Sequence, residues 1–242
     1  MTLWHLARAV VETARISAPT IAEGLTGALT PEVCDERLAE WSRRLLLQAK
    51  ITLRVEGLDR ARTPGETDET FVVMSNHQSH YDIPVMFQAL RRRVRMVAKQ
   101  ELFKIPGWGP AMRMAGFVEI DRKNRVAAIQ SLESAKQALS HGTNIWIAPE
   151  GTRGPGDKLL PFKSGGFHLA LGAGARILPV SIDGTGRVLA ARGRTVTEGV
   201  EVRVTVHEPV EPSQYGADRR EELTQRVRQA IASDVSSLRD KS

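Results

Sequence analysis

A single cysteine, Cys34, stands in the 242 residues. That count rules out an internal disulfide and any cysteine-ligated metal cluster, and it suits a reducing compartment. Cys34 reads as a structural thiol. Aromatic residues make up only 5% of the chain, and they do not alternate with basic residues as in proteins that stack single-stranded bases. Runs of about 18 or more apolar residues are lacking, so no membrane-spanning helix is predicted. The first residues have neither a basic leader before a continuous apolar stretch nor a clear cleavage site, so no secretory signal is expected. The spacing Gly-x-x-x-x-Gly-Lys-Ser/Thr is missing as well, which argues against a nucleoside triphosphate site.

What remains is apolar enough to fold and carries excess positive charge. Hydrophobic residues reach 41% and the formal net charge is +6, with a sequence pI near 9.8. A basic balance points to an anionic partner: nucleic acid, a membrane surface or a phosphorylated substrate. The scarcity of aromatics and the scatter of the cations weigh against nucleic acid.

Two amphipathic helices are predicted first. One covers residues 1–16 and ends in a stretch broken by Pro19, Gly24, Gly27 and Pro31. The second runs from Pro31 to Lys50, with Leu38, Trp41, Leu45 and Leu46 on one face. This stripe suits packing on a core or seating in a membrane interface, and different faces can do each. From residue 51, apolar strands alternate with helical segments. Strands are expected at 51–55, 71–75, 94–98, 117–120, 144–148, 176–182 and 200–206, and a polar terminal helix at 217–238. This pattern predicts an α/β fold with a mixed, largely parallel central sheet flanked by helices and preceded by the N-terminal helical pair. The expected division is a helical, membrane-docking element over 1–50 and a catalytic domain over 51–242.

Chemistry gathers at strand ends. Asn76-His77-Gln78-Ser79-His80-Tyr81-Asp82 follows the apolar run Phe71–Met74. A histidine beside a carboxylate can act as a general base whose tautomer the carboxylate fixes. Equally, Asp82 can start a helix and His77 can be a turn residue. His80 is a rival base. Ser79 is a conceivable nucleophile, although no Gly-x-Ser-x-Gly elbow surrounds it. Lys99 ends one strand, with Lys104 nearby, and Arg122 follows another. Cations at neighbouring strand ends suit a phosphate. Ala148-Pro149-Glu150-Gly151-Thr152-Arg153-Gly154 follows a third strand, and Lys163-Ser164-Gly165-Gly166 continues its glycine and cation pattern. Ile177-Leu178-Pro179-Val180 is an apolar strand whose proline predicts an edge position or a bulge.

These four blocks, in this order over residues 50–210, resemble the glycerolipid acyltransferase family. Asn76–Asp82 matches its His-x-x-x-x-Asp motif. Lys99 to Arg122, with Gly116, Phe117, Ile120 and Asp121, resembles its second block. Pro149–Arg153 matches the third, and Leu178–Val180 is similar to the fourth. The resemblance implies that His77 is the base, that Asp82 orients it and that His80 is a bystander. It implies that Lys99, Arg122 and Arg153 hold a phosphate. Glu150 and Gly151, with Thr152 beside them, would position the glycerol part, and the Pro179 strand would line the acyl chain. The implied partners are a lysophospholipid acceptor, an acyl-CoA or acyl-carrier-protein donor and a membrane surface on its cytoplasmic face, with no cofactor. Another lysolipid, unacylated glycerol-3-phosphate or a non-catalytic lipid-binding role are the alternatives to a 1-acyl-glycerol-3-phosphate acceptor.

Overall fold

In the computed structural model, which describes residues 2–61, 69–90, 93–121, 125–156, 158–216 and 218–235, helix α1 spans Thr2–Thr26 and α2 Pro31–Gln48. The first helix is therefore longer than the sequence predicts. Pro19 lacks an N–H and Gly24 weakens a helix, yet both sit inside α1. Tertiary contacts hold the second half in place. Arg37 of α2 binds Glu23 at 2.6 Å and Thr20 at 3.2 Å, and Ser17 and Thr20 are buried. Gly24 is a close-packing residue: a Cβ there would lie 2.5 Å from the Met114 Sδ. The break comes at Gly27, with φ of 73°. Thr30 then caps α2 and Pro31 opens it, as expected of a first-turn proline.

The remaining elements are β1 (Thr52–Glu56), β2 (Phe71–Ser75), α3 (Asp82–Leu90), β3 (Val94–Lys99), α4 (Gln100–Phe103), α5 (Trp108–Met114), β4 (Val118–Ile120), α6 (Arg125–Ser140), β5 (Asn144–Ile147), α7 (Gly165–Ala173), β6 (Arg176–Asp183), α8 (Thr185–Val188), β7 (Glu201–Val206) and α9 (Arg220–Ala232). The expected terminal helix is thus shorter at its start and closes at Ala232, before residues 233–235, while residues 236–238 of the expected span fall outside the described residues. A short 3-10 turn, Leu58–Ala61, follows β1.

Among the described residues, seven strands form one sheet in the order β1-β7-β6-β2-β5-β3-β4. Neighbours pair in parallel except β6 with β7. The sheet is mixed and largely parallel. β1 and β7 run opposite to the other five strands. The carboxyl ends of β6, β2, β5, β3 and β4 therefore share one edge with the amino ends of β1 and β7.

Helices cover both faces, which is why β2 is buried throughout and reads as a continuous apolar run. Phe71 and Val73 pack on the side of α2, α3 and α5 with Leu38, Trp41 and Phe87. Val72 and Met74 pack on the side of α6, α7 and α9 with Phe167 and Leu223. The α2 stripe Leu38, Trp41, Leu45 and Leu46 belongs to the first of these cores. At the amino edge, Asp35 of α2 joins Arg93 at 3.0 Å and the buried Arg95 at 2.6 Å.

Pro179 lies in an internal strand, not at an edge. The second expected setting, a bulge, is the one observed. Val180 pairs with Val206, but Ile177 bridges Val210, so the returning chain carries one extra residue. The Pro179 carbonyl still accepts from the His207 N–H at 3.0 Å, and its missing donor falls at the irregularity.

Candidate active site

β2 delivers the turn 76–81 to the carboxyl edge, and buried hydrogen bonds fix its path. The Asn76 amide donates to the Ile182 carbonyl at 2.7 Å and accepts from the Ile182 N–H at 2.8 Å, which ties the turn to β6. The Trp146 indole donates to Ser75 Oγ at 2.9 Å. Ser79 Oγ donates to the Leu189 carbonyl at 2.7 Å and accepts from the Tyr81 N–H. With its proton committed and its residue buried, Ser79 serves the turn and offers no free nucleophile.

Asp82, the first residue of α3, is fully buried. Its Oδ2 accepts from the Gln78 and Ser79 N–H groups at 2.8 and 2.9 Å and lies 2.6 Å from His77 Nδ1. Its Oδ1 accepts from the Thr185 hydroxyl. A carboxylate surrounded in this way needs a proton on His77 Nδ1, so the neutral ring presents an unprotonated Nε2. The His77 side chain is 21% exposed, and among the described residues Nε2 has no hydrogen-bond partner. His80 is exposed. Partial desolvation, helped by the charge of Arg153, lowers its pKa.

The loop after β5 clamps the histidine from the other side. Glu150 is 3% exposed. Its Oε1 accepts from the His77 N–H at 2.9 Å and its Oε2 from the Leu160 N–H at 2.8 Å. The Gly154 N–H donates to the His77 carbonyl at 2.7 Å. Burial pushes the Glu150 carboxyl above its ordinary range, and the two backbone donors pull it partly back. Gly151, with φ of 72°, turns the loop, and a Cβ there would lie 3.1 Å from the Lys163 stem.

Arg153 is half-buried, and Thr152, Lys99, Lys104 and Lys163 are exposed. The parallel order β2-β5-β3 brings His77, Glu150 to Arg153 and Lys99 to the same edge. Arg122 follows β4 but lies outside the described residues. Among the described residues, no group of three His, Cys, Asp or Glu side chains is arranged to hold a metal ion.

Next to α3 is a small apolar cavity of about 50 Å³, walled by Ile16, Leu38, Trp41, Ile83, Phe87 and Met112 among others. Ile83 directly follows Asp82 in the chain, so this lining adjoins the His77–Asp82 pair. None of residues 178–180 lines the cavity. Leu178 and Val180 are packed in the core instead.

Sequence reasoning did not find Thr185, or the part Glu150 plays in holding the His77 backbone. Thr185 becomes a partner of Asp82 because β6 neighbours β2, a relation no local spacing encodes.

The profile of the family described as Acyltransferase matches residues 52–183. The chain is 32% identical over 180 residues to the 1-acyl-sn-glycerol-3-phosphate acyltransferase of Escherichia coli, covering 74% of this chain and 72% of that protein. It is 33% identical over 190 residues to 1-acyl-sn-glycerol-3-phosphate acyltransferase alpha of Mus musculus, covering 78% of this chain and 67% of that one. The crystal structure of the 1-acyl-sn-glycerophosphate (LPA) acyltransferase PlsC from Thermotoga maritima superposes with a TM-score of 0.80 at 28% identity, over 98% of this chain and 94% of that chain.

Proposed function

Because the chain belongs to the acyltransferase family, we propose that it moves a fatty acyl group from a thioester donor to the free hydroxyl of 1-acyl-glycerol-3-phosphate, giving phosphatidic acid. The observation that carries this reading is the His77–Asp82 pair, with Nε2 left open at the carboxyl edge. His77 Nε2 takes the proton of the acceptor hydroxyl as its oxygen attacks the thioester carbonyl. Asp82 holds the ring and stabilises the imidazolium. When the tetrahedral intermediate collapses, the C–S bond breaks and the imidazolium returns its proton to the thiolate. The products are an ester and a free thiol, with no acyl-enzyme and no cofactor required.

Arg153 and Lys99 supply charge for the acceptor phosphate, and the family motif adds Arg122. Glu150 supports the reaction through the backbone of His77, while Gly151 and Thr152 shape the loop at the glycerol end. The apolar side chains beside Ile83 offer a wall for an acyl chain. The donor is acyl-CoA or an acyl-carrier protein. Among the described residues, no helix is long and apolar enough to cross a membrane. We place residues 1–50 as the docking element and 51–242 as the catalytic domain, acting peripherally on the cytoplasmic face, where thioester donors are made.

The test is thiol release from acyl-CoA with a panel of lysolipids and with glycerol-3-phosphate. His77→Ala should lower kcat by roughly 10²–10⁴-fold while the fold is retained. Asp82→Asn should lose on the order of 10³–10⁴-fold through the wrong tautomer. Unchanged turnover in His77→Ala removes this mechanism, and preference for an acceptor without phosphate removes the substrate assignment.

A further inference from the structure

His77 lies in the turn that follows β2, a strand in the interior of the row of five parallel strands, and two anionic substrates have to meet there. On one side, β5 and β3 bring Arg153 and Lys99 to the edge, the group assigned above to the acceptor phosphate. The other side is formed by β6, α8 and the strap of chain 189–200 that leads into β7.

The start of this strap, and α8 before it, are fastened to the turn that carries His77. Thr185 donates to Asp82, and the Leu189 carbonyl accepts from Ser79 Oγ at 2.7 Å. Its end is fastened to the helical pair and β1. Glu198 binds Lys50 at 2.6 Å and His5 at 3.1 Å. The Gly199 N–H donates to the Ala49 carbonyl at 3.1 Å, and the Thr52 N–H to Val200 at 3.1 Å. Within the strap, Thr197 returns a hydrogen bond to Val188 at 2.8 Å, and Gly193 closes a turn on Ala190 at 2.9 Å.

Two arginines, Arg192 and Arg194, flank Gly193 on this turn, and both are exposed. The neighbouring carboxylates are occupied elsewhere: Glu198 by Lys50 and His5, and Glu201 by Arg54 at 2.7 Å. Among the described residues, neither Arg192 nor Arg194 makes an ion pair. Two uncompensated guanidinium groups are thus held on a segment pinned at both ends, one end resting on the catalytic turn itself. Like charges concentrated this way are a standing attraction for phosphate. Phosphates on opposite sides of His77 also avoid the repulsion of two anions in one pocket.

We propose that Arg192 and Arg194 form the subsite for the phosphates of the acyl donor's carrier: the phosphate of the pantetheine arm common to both donor types, with the adenosine phosphates added when the donor is a coenzyme A thioester. The proposal rests on the acyltransferase reading given above.

The experiment uses the full chain carrying Arg192→Ala and Arg194→Ala together, assayed in neutral detergent micelles so that membrane attraction does not enter. With saturating lysophosphatidic acid, the KM for acyl-CoA should rise roughly ten- to a hundredfold. The KM for the acceptor and the melting temperature should hold. Inhibition by adenosine 3′,5′-bisphosphate should weaken in parallel, whereas acyl-pantetheine, which lacks phosphate, should be used equally by both proteins. The same rise with an acyl-carrier-protein donor assigns the contact to the shared phosphate, and a rise confined to acyl-CoA assigns it to the adenosine phosphates. An unchanged donor KM overturns the proposal, including the case in which only binding to anionic vesicles is lost, which makes the strap a membrane contact. Calorimetric binding of coenzyme A to both proteins is read separately. Weakened binding in the variant supports the subsite even if the wild type releases no thiol, a result that would instead refute the acyltransferase reading.

Discussion

Glu150 is a carboxylate that holds another residue's backbone. Both its oxygens are used, one by His77 N–H and one by Leu160 N–H. Glutamine in its place offers one acceptor and turns an NH2 group toward the second donor. Glu150→Gln should therefore lower kcat about tenfold through misplacement of His77, with KM nearly unchanged. The pH dependence separates positioning from charge. The folded-state pKa is raised, chiefly by burial, above the ordinary 4.5. Stability from this group is thus fully present below 4.5 and is lost as pH rises through the folded value. The gap in melting temperature between wild type and Glu150→Gln should narrow as pH is raised through that window. A gap constant with pH would show that the carboxyl does not titrate there. At this scale the sequence was informative about residue identity and less so about role. His77 and Asp82 sit five apart, so a single turn unites them. The bonds from Glu150 to His77 and from Thr185 to Asp82 span different strands, and only the strand order reveals them.

At the scale of elements, the C-terminal helix α9 is joined to the sheet by a buried polar relay. Ser181 Oγ donates to the Ile231 carbonyl at 2.6 Å and accepts from His207 Nε2 at 2.7 Å. Burial lowers the His207 pKa from 6.5. Asp234 opposes the shift, and Arg60 and Arg226 add to it. The unfolded chain therefore takes up a proton near pH 6.5 that the folded chain declines, and stability falls as pH drops below that value. Thermal melts from pH 7.5 to 5.5 should show this slope, and His207→Gln, which keeps a donor for Ser181, should flatten it. An identical slope in the variant would remove His207 as its source. The extents of the elements show where local signals end. The strand at 71–75 is legible because covered parallel strands are continuously apolar, as residues 71–74 are. From sequence, helix α1 ends near residue 16 because Pro19 and Gly24 are helix breakers locally. The contacts of Arg37 and the fit of Gly24 against Met114, which override them, come from other helices.

For the molecule as a whole, the helical pair is antiparallel, with His5 O bonded by Gln48 and Thr13 by Trp41. Its open end, the amino end of α1 and the carboxyl end of α2, lies at the amino ends of β1 and β7, the same edge that carries His77. Four exposed apolar side chains of α1, Trp4, Leu6, Val10 and Val11, and Leu47 of α2 occur toward that end, each about 60% exposed. Arg8 stacks over Trp4 at 5.2 Å, and Lys50 is exposed beside them. Apolar side chains edged by cations suit the interface of an anionic bilayer, and seating this edge there would bring the acceptor hydroxyl to His77 without lifting the lipid out. Burial of this apolar surface, at about 25 cal/mol per Å², should make vesicle binding sensitive to it. Replacing Trp4 and Val11 together by Ser should reduce co-sedimentation with phosphatidylglycerol-containing vesicles about tenfold or more. Turnover of vesicle-embedded acceptor should fall with it, while turnover of a short-chain acceptor dispersed in detergent should stay unchanged. Equal losses in both assays would place these residues in folding or chemistry, and unchanged sedimentation would move the membrane contact to another surface.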